Sequence, residues 1–339
     1  MPIDPHYPLV ELHRHLDGAV RLETILDLGL KYNLPLPARD LEGLRPYVQV
    51  TGQKPGVLAF LEKFEWFTKI LVNYDAVRQV AWENVADAAH EGIDHIELRF
   101  SPWFMAEANQ LDPAGVVEAV IDGVTAARRD FDISVGLIGI LSRTYGPQIA
   151  WQELSALLQF KTRLVGLDLA GDEAHWPGDL FVEHIHQARS AGWQITIHAG
   201  ESAGAPSIWQ AVHHLGASRL GHAVRAIDDP VLMDELLRSG IGIESNLTSN
   251  VQTSTVADYA SHPLRAFLER GLLASLNTDD PGISGIDLHY EYEVAAPAAG
   301  LSPAQISQAQ RNALQTAFLS PDEKQRLLDQ KGSVSHASN

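Results

Sequence analysis

Two histidines separated by one residue, His13 and His15, end a short apolar segment near the start of the chain. In a β-strand, residues two apart point to the same face of the sheet, so both imidazoles would lie side by side. Imidazole nitrogens are common ligands of transition metals. Asp17 and Gly18 follow at the point where the strand must turn. The stretch therefore predicts one wall of a mononuclear metal site, with the other ligands supplied by later strands.

The elements that would position this site alternate between helical patterns and short apolar segments. Several helical patterns end at a glycine directly before the next strand, as at Gly92 and Gly192. Eight strands are predicted, at residues 9–15, 93–100, 133–141, 164–169, 193–198, 219–222, 241–246 and 272–279. Eight such units favour a TIM (β/α)8 barrel of the α/β class. An open doubly wound sheet is the alternative, but no glycine-rich nucleotide loop follows a strand.

Additional helices are predicted after the first strand and at the C-terminus of the barrel. Residues 21–33 and 56–72 have helical periodicity, and Asp75 is the expected N-cap of the next helix. We expect residues 1–331 to form one domain. The small and polar residues 332–339 are expected to form a disordered tail.

Polar side chains cluster where the predicted strands end, which is where a TIM barrel carries its active site. Five of the eight ends have ligand-type residues: His13 and His15, Asp168 to Glu173, His198 and Glu201, His222, and Asp279 and Asp280. Four other histidines lie in helical patterns and are expected to be surface or packing residues: His184, His186, His213 and His214.

His13, His15, His198 and Asp279 would form a nitrogen and oxygen ligand set. Zinc is the leading candidate, with iron, cobalt and manganese as alternatives. A catalytic metal would lower the pKa of a bound water towards about 7. We expect one ion per chain, because a second would need a bridging group such as a lysine at the end of strand four, and the nearest lysine, Lys161, precedes that strand.

Three further residues could take part in the chemistry. Glu201 could donate a proton to a substrate atom beside the attacked carbon, or it could simply be a carboxylate at a helix N-terminus. His222 could orient an attacking hydroxide, or it could be a buried structural histidine. Asp280, next to a metal ligand, is free to bind substrate or to take part in proton transfer.

The bulk composition excludes several classes of protein. The 339 residues carry a net charge of −18, which repels nucleic acids and anionic membranes. No apolar run approaches the roughly 18 residues of a membrane span, and the N-terminus lacks a signal-peptide pattern. The chain has no cysteine, which is compatible with the cytoplasm. We therefore expect a cytoplasmic protein with a small neutral or cationic ligand, and neither a nucleic-acid nor a membrane partner.

Seven motifs carry a family resemblance that extends from Leu9 to about Leu328. They are Glu11-Leu12-His13-Arg14-His15-Leu16-Asp17-Gly18, Glu97-Leu98-Arg99-Phe100-Ser101-Pro102, Asp168-Leu169-Ala170-Gly171-Asp172-Glu173, His198-Ala199-Gly200-Glu201, Gly221-His222, Leu247-Thr248-Ser249-Asn250 and Asn277-Thr278-Asp279-Asp280-Pro281-Gly282. In this order they resemble the adenosine deaminase family, in particular its bacterial members. The resemblance implies a TIM barrel, one zinc ion, and a role in purine salvage. The implied reaction is hydrolytic deamination of adenosine and 2′-deoxyadenosine to inosine and 2′-deoxyinosine, with release of ammonia.

The resemblance also implies a role for each site residue. The zinc ligands would be His13, His15, His198 and Asp279. Glu201 would donate a proton to purine N1, and His222 would position the hydroxide that attacks C6. The substrate contacts would be Asp280 to N7, the backbone N–H of Gly171 to N3, and Asp17, with His15 nearby, to the ribose 5′-hydroxyl.

One departure and two questions accompany this resemblance. Ala223 stands where the family pattern has glycine, and its β-carbon could crowd the loop beside His222. The aromatic residues of the helix at 56–72, including Phe60 and Phe64, could form an apolar lid over the purine or belong to the core. Among rival functions, relatives that act on free adenine tend to carry glutamate where this chain has Asp17. A non-catalytic nucleoside-binding barrel is opposed by the full set of ligands.

Overall fold

The computed structural model describes residues 3–50 and 63–337. Eight parallel strands form one sheet in which neighbours follow chain order. They are Val10–His15 (β1), His95–Phe100 (β2), Ser134–Ser142 (β3), Gly166–Ala170 (β4), Gln194–Ala199 (β5), Arg219–His222 (β6), Gly242–Ser245 (β7) and Leu273–Leu276 (β8). The eight predicted strands and the TIM (β/α)8 barrel are confirmed. The eighth strand is shorter than predicted: it ends at Leu276, and beyond it Asp279 forms an isolated parallel bridge with Arg14 of β1.

Strand β1 meets the end of β8 and brings the two edges of the sheet together. The Asp279 N–H donates to the His13 carbonyl at 2.9 Å, and the His15 N–H donates to the Asp279 carbonyl at 2.8 Å. The side chain of Asn277 accepts a hydrogen bond from the Leu12 N–H at 2.9 Å. The seam of the barrel therefore includes three of the residues that were predicted to bind metal, His13, His15 and Asp279.

Helices surround the barrel, and several of them lie between β1 and β2 or after β8, as predicted. Those between β1 and β4 are Leu22–Lys31, Leu41–Val48, Phe64–Lys69, Tyr74–His90, Pro102–Glu107, Pro113–Asp130 and Gly146–Leu158. Those between β4 and β8 are Val182–Ser190, Ala205–His213, Pro230–Ser239, Leu247–Gln252 and Leu264–Glu269. After β8 come Pro281–Ser284, Leu288–Tyr290, Ala296–Ala298, Pro303–Thr316 and Pro321–Ala337.

Three local expectations differ from the structure. Asp75 is not the N-cap of its helix: Asn73 takes that position, because its backbone is extended and its side chain accepts from the Ala76 N–H. Of the helix expected at 56–72, residues 56–62 lie outside the described part, and the remainder contains the helix Phe64–Lys69. The last helix, Pro321–Ala337, continues past Gly332, so the backbone is helical where a disordered tail was expected.

The inside of the barrel is polar, while apolar side chains fill the space between the strands and the helices. Arg99, Arg219, Glu97, Glu244 and Asp168 each expose at most 1% of their surface. Isolated charges are costly in such a place, so each one needs a partner. Arg219 Nε lies 2.6 Å from Glu244 Oε1, and Arg219 also pairs with Glu97. The resulting ion network extends along the barrel axis up to the strand ends.

Candidate active site

Four predicted ligands converge at the C-terminal ends of the strands. One ligand atom from each of His13, His15, His198 and Asp279 lies within 4.8 Å of all the others. Asp279 Oδ1 is 3.0 Å from His13 Nε2 and 3.3 Å from His15 Nε2. His15 Nε2 is 3.3 Å from His198 Nε2. In the part of the chain that the structure describes, no other group of three or more such side chains converges in this way.

A buried carboxylate behind each of two histidines fixes which ring nitrogen faces the site. His13 Nδ1 donates to Glu244 Oε2 at 2.8 Å, and His198 Nδ1 lies 2.9 Å from Asp168 Oδ2. A neutral imidazole that donates from Nδ1 has its lone pair on Nε2. Two lone pairs therefore point into the cluster. Carboxylates in this position are a common means of orienting metal-bound histidines.

Burial keeps His13 and His198 in the neutral state that a metal ligand needs. Burial lowers the pKa of His13 and lowers that of His198 to about 3, so both rings are neutral at pH 7. His15 differs: although burial lowers its pKa, the neighbouring carboxylates raise it to about 9, so this ring loses a proton when a metal binds. Although burial opposes ionisation, Arg99 helps to hold the pKa of Asp168 and of Glu244 below the usual value for each side chain. The guanidinium lies 2.8 Å from both carboxylates. Arg99 thus bridges Asp168 and Glu244, the two carboxylates that orient His198 and His13.

The donor set fits a metal cation. His13 Nε2 is buried and has no hydrogen-bond partner, although it is close to Asp279. An unpaired buried nitrogen is costly, and a cation between the lone pairs and the carboxylate would satisfy it. Three imidazoles and one carboxylate are typical of zinc and related metals.

Glu201 lies beside this cluster, on a loop whose backbone is hydrogen-bonded to a second glutamate, Glu173. The side chain of Glu201 is 22% exposed, and its Oε2 lies 3.6 Å from His222 Nε2. Burial raises the pKa of Glu201, which favours the protonated acid. The buried Glu173 carboxylate accepts backbone N–H groups from four consecutive residues, 200–203, at 2.6–3.1 Å. Sequence reasoning gave Glu173 no role.

His222 and Ala223 both have left-handed backbones, with φ of +63° and +49°. Asp279 has a similar φ of +65°. Non-glycine residues rarely adopt this conformation, and when they do they cluster at functional sites. At Ala223 the β-carbon costs on the order of 1 kcal/mol relative to glycine. Alanine at position 223 therefore has the left-handed backbone that glycine adopts easily, and it has this conformation at a cost in stability.

Asp280 points into the site beside the metal-ligand cluster, and Gly18 makes room for it. Asp280 Oδ1 is buried without a hydrogen-bond partner. A β-carbon at Gly18 would lie 1.7 Å from this oxygen. Burial and the neighbouring Asp279 raise the pKa of Asp280 well above its usual value. A protonated carboxyl group here can donate a hydrogen bond to a ligand.

Asp17 follows β1, and Gly171 follows β4 directly. Asp17 is 3% exposed, accepts the Ser101 N–H at 3.2 Å, and has one oxygen 3.8 Å from His15 Nδ1. Gly171 has φ of +104°, and a β-carbon there would lie 2.4 Å from Thr144 Oγ1. Only glycine fits that close approach.

The histidines set aside on sequence grounds stay outside the cluster. His184 is buried in the helix Val182–Ser190, and its Nε2 pairs with the Pro147 carbonyl at 2.9 Å. Of the aromatic residues suggested as a lid, Phe60 lies outside the described residues. Phe64 packs against Phe104 with ring centroids 5.6 Å apart.

Comparisons with known proteins agree with this geometry. A family model described as adenosine deaminase matches residues 8–333. The chain is 57% identical over 327 residues to the adenosine deaminase of Yersinia enterocolitica, covering 96% of this chain and 98% of that protein. The structure superposes on an adenine deaminase from Arthrobacter aurescens with a TM-score of 0.89 at 25% identity, covering 97% of this chain and 99% of that one. It also superposes on a zinc-bound amidohydrolase from Burkholderia ambifaria with a TM-score of 0.84 at 25% identity, covering 98% of this chain and 93% of that one.

The barrel and its cluster of histidines and aspartate are those of a hydrolase of the amidohydrolase type. Within that class, the chain belongs to the adenosine deaminase family. No helix in the described residues is long and apolar enough to span a membrane.

Proposed function

We propose that this protein catalyses the hydrolytic deamination of adenosine and 2′-deoxyadenosine, using one zinc ion held by His13, His15, His198 and Asp279. The observation that carries the proposal is the convergence of these four side chains within 4.8 Å beside Glu201, whose pKa is raised by burial. Bound there, zinc would supply a water of lowered pKa as the nucleophile.

Glu201 is placed to activate the purine, and its raised pKa favours the protonated form that this role needs. The carbon C6 is a poor electrophile until N1 takes up positive charge. A carboxylic acid at N1 supplies that charge by donating its proton. His222, 3.6 Å from Glu201, is placed to orient the attacking oxygen. The proton of the added hydroxyl group would then pass to the 6-amino group, which leaves as ammonia while C6 becomes a carbonyl carbon.

The remaining residues would bind the nucleoside. Purine N7 can only accept a hydrogen bond, and the raised pKa of Asp280 favours the protonated carboxyl group that would donate one. The Gly171 N–H would contact N3. Asp17 would receive the ribose 5′-hydroxyl, which favours a nucleoside over the free base. Adenine remains the second candidate substrate because the Arthrobacter aurescens structure, described as an adenine deaminase, shares the fold.

The site roles are tested by an activity screen on the zinc-loaded protein. We expect loss of the adenosine absorbance with equimolar ammonia release, similar turnover of 2′-deoxyadenosine, and much slower reaction of adenine.

Glu201→Gln should keep zinc and substrate binding but lose about 100-fold or more in kcat. Glu269→Gln, a surface substitution, should change nothing. Near-normal turnover by Glu201→Gln would refute its role, and a metal-loaded protein without turnover would support a nucleoside-binding barrel instead.

We also propose one domain over residues 1–331 and a cytoplasmic location. The domain proposal rests on a barrel seam that joins residues from both ends of the chain, such as Leu12 and Asn277. The absence of cysteine is compatible with a reducing compartment. Cell fractionation with an antibody against the protein tests the location.

A further inference from the structure

A line of three buried side chains leads away from the active site, from His222 through Asn250 to His262. Asn250 Nδ2 lies 2.9 Å from His222 Nδ1, and Asn250 Oδ1 lies 3.1 Å from His262 Nε2. Each of the three side chains is at most 3% exposed. The line ends at Leu264, whose backbone N–H donates to His262 Nδ1 at 3.1 Å.

The backbone N–H of Leu264 sets the direction of the whole line, because it can only donate. His262 Nδ1 must accept from it and therefore carries no proton. Burial lowers the pKa of His262 to about 3, so the ring is neutral at pH 7 and its single proton is on Nε2. That proton is donated to Asn250 Oδ1. The amide nitrogen of Asn250 is then the atom that faces His222.

An amide nitrogen is a donor, so His222 Nδ1 is an acceptor. A second amide nitrogen, Asn246 Nδ2, lies 3.2 Å from the same ring atom. A neutral His222 must therefore carry its proton on Nε2. This is the atom that faces the site, 3.6 Å from Glu201 Oε2 and 3.8 Å from Asp279 Oδ2.

We propose that His262 and Asn250 are positioning residues that fix the tautomer of His222, so that its site-facing nitrogen is a hydrogen-bond donor. The catalytic consequence rests on the proposed function. His222 orients the attacking oxygen by donating to it, and the neutral ring has no lone pair at Nε2 with which to remove a proton. The tautomer itself is a property of the folded protein and does not depend on which substrate is used.

The tautomer can be measured directly in the zinc-loaded protein labelled with ¹⁵N-histidine. Long-range ¹H–¹⁵N spectra distinguish a ring nitrogen that bears a proton from one that has a lone pair. The His222 signals are assigned by their absence from His222→Gln. We expect the proton on Nε2 and the lone pair on Nδ1. The opposite pattern would overturn the proposal.

Asn250→Asp tests the line with almost no change of shape. A carboxylate at this position can only accept, so the proton of His222 should move to Nδ1. We expect kcat to fall by about 100-fold or more, as for loss of a group that acts on a proton or orients a nucleophile, while KM changes by less than about threefold. Wild-type kcat together with an unchanged His222 spectrum would contradict the proposal.

His262 is tested by a pair of variants and a matched control. His262→Gln keeps a donor near the place of Nε2 and should retain most of the wild-type kcat. His262→Ala removes that donor and should lower kcat by about tenfold, the lower range for groups that orient active-site histidines. His184→Ala removes a histidine that is equally buried, 2% exposed, outside the site and should leave kcat unchanged. Equal kcat in both His262 variants would contradict the proposal.

A wild-type protein without deaminase activity that still shows the expected tautomer would refute the proposed function and uphold the inferred tautomer.

Discussion

Glu244 lies directly behind His13, and its Oε2 accepts the His13 Nδ1 proton at 2.8 Å. Neither side chain has any exposed surface. The contact fixes the ring so that Nε2 points at the other three ligands. Because a carboxylate also makes the ring a stronger ligand, zinc affinity should depend on the charge of Glu244 as well as on its shape.

Glu244→Gln should therefore weaken zinc binding by about 10- to 100-fold. The amide keeps the volume of the side chain but loses the charge that faces His13 and Arg99. Competition with a chromophoric chelator measures the affinity in protein that circular dichroism shows to be folded. Glu269→Gln, on the surface, serves as the control. Equal zinc affinity in the two variants would show that His13 binds zinc equally well without the negative charge of Glu244.

Glu173→Ala should lower kcat through Glu201 and leave zinc content unchanged. The substitution removes the acceptor for four N–H groups at 200–203, while His198 lies on β5, before that loop. We expect a loss of about 10- to 100-fold in kcat, comparable to the loss of other groups that orient active-site side chains. Elemental analysis and steady-state kinetics measure the two quantities. Asp172→Asn changes the neighbouring carboxylate, which is 37% exposed, and should behave as wild type. A parallel loss of zinc would assign Glu173 to the metal centre instead.

Gly18→Ala should reduce kcat/KM by displacing Asp280. The added β-carbon would lie 1.7 Å from Asp280 Oδ1, a distance that no side chain tolerates without moving. If Asp280 binds the purine, kcat/KM for adenosine should fall by at least about tenfold, the equivalent of one lost hydrogen bond. Gly204→Ala is the control, because its β-carbon would meet nothing closer than 3.4 Å. Unchanged kcat/KM in folded Gly18→Ala would exclude a role for Asp280 in substrate binding.

Glu153 should make the protein less stable as the pH rises. Burial raises its pKa to about 8, in spite of hydrogen bonds from Ser101 and Ser142. Between the unfolded value of about 4.3 and the folded value, the native state binds more protons than the unfolded state. The free energy of unfolding therefore falls with increasing pH, by up to about 1.4 kcal/mol per pH unit from this group.

Comparison with Glu153→Gln isolates this contribution, because glutamine does not titrate. Urea unfolding of both proteins between pH 5 and 8 should show the difference in free energy moving in favour of the variant as the pH rises. A constant difference across that range would mean that Glu153 is ionised throughout.

The convergence of the four side chains of the candidate metal site could be predicted from sequence because the signal is local. His13 and His15 end an apolar strand, and the barrel rule states that strand ends share one site. Glu244 and Asp168 gave a weaker signal, a single acidic residue within a buried strand. Their roles depend on which side chains face one another across the barrel, and this requires the closed sheet.

The residues that position Glu201 and His222 could not be predicted for a different reason. Glu173 reaches a loop about 28 residues away, and His262 lies 12 residues beyond Asn250 on another segment. Neither spacing has a repeating pattern, because the contacts arise only when separate loops pack together. The helix start is also hard to place from sequence. Asn73 and Asp75 are both suitable N-cap residues, and only the backbone geometry shows that Asn73 has this position.

The seam between β1 and β8 has a consequence for the order in which the protein matures. Glu11 and Thr278, which are joined across it, are 267 residues apart in the chain. At about 5–20 residues per second, a ribosome makes the first strand on the order of 10 to 50 s before its closing partner. During that interval one edge of β1 has no neighbour, and an unpaired edge invites pairing with other chains. The candidate metal site is thus the last part of the barrel to be assembled. A nascent chain that ends before Asp279 has neither a closed barrel nor all four of the converging side chains.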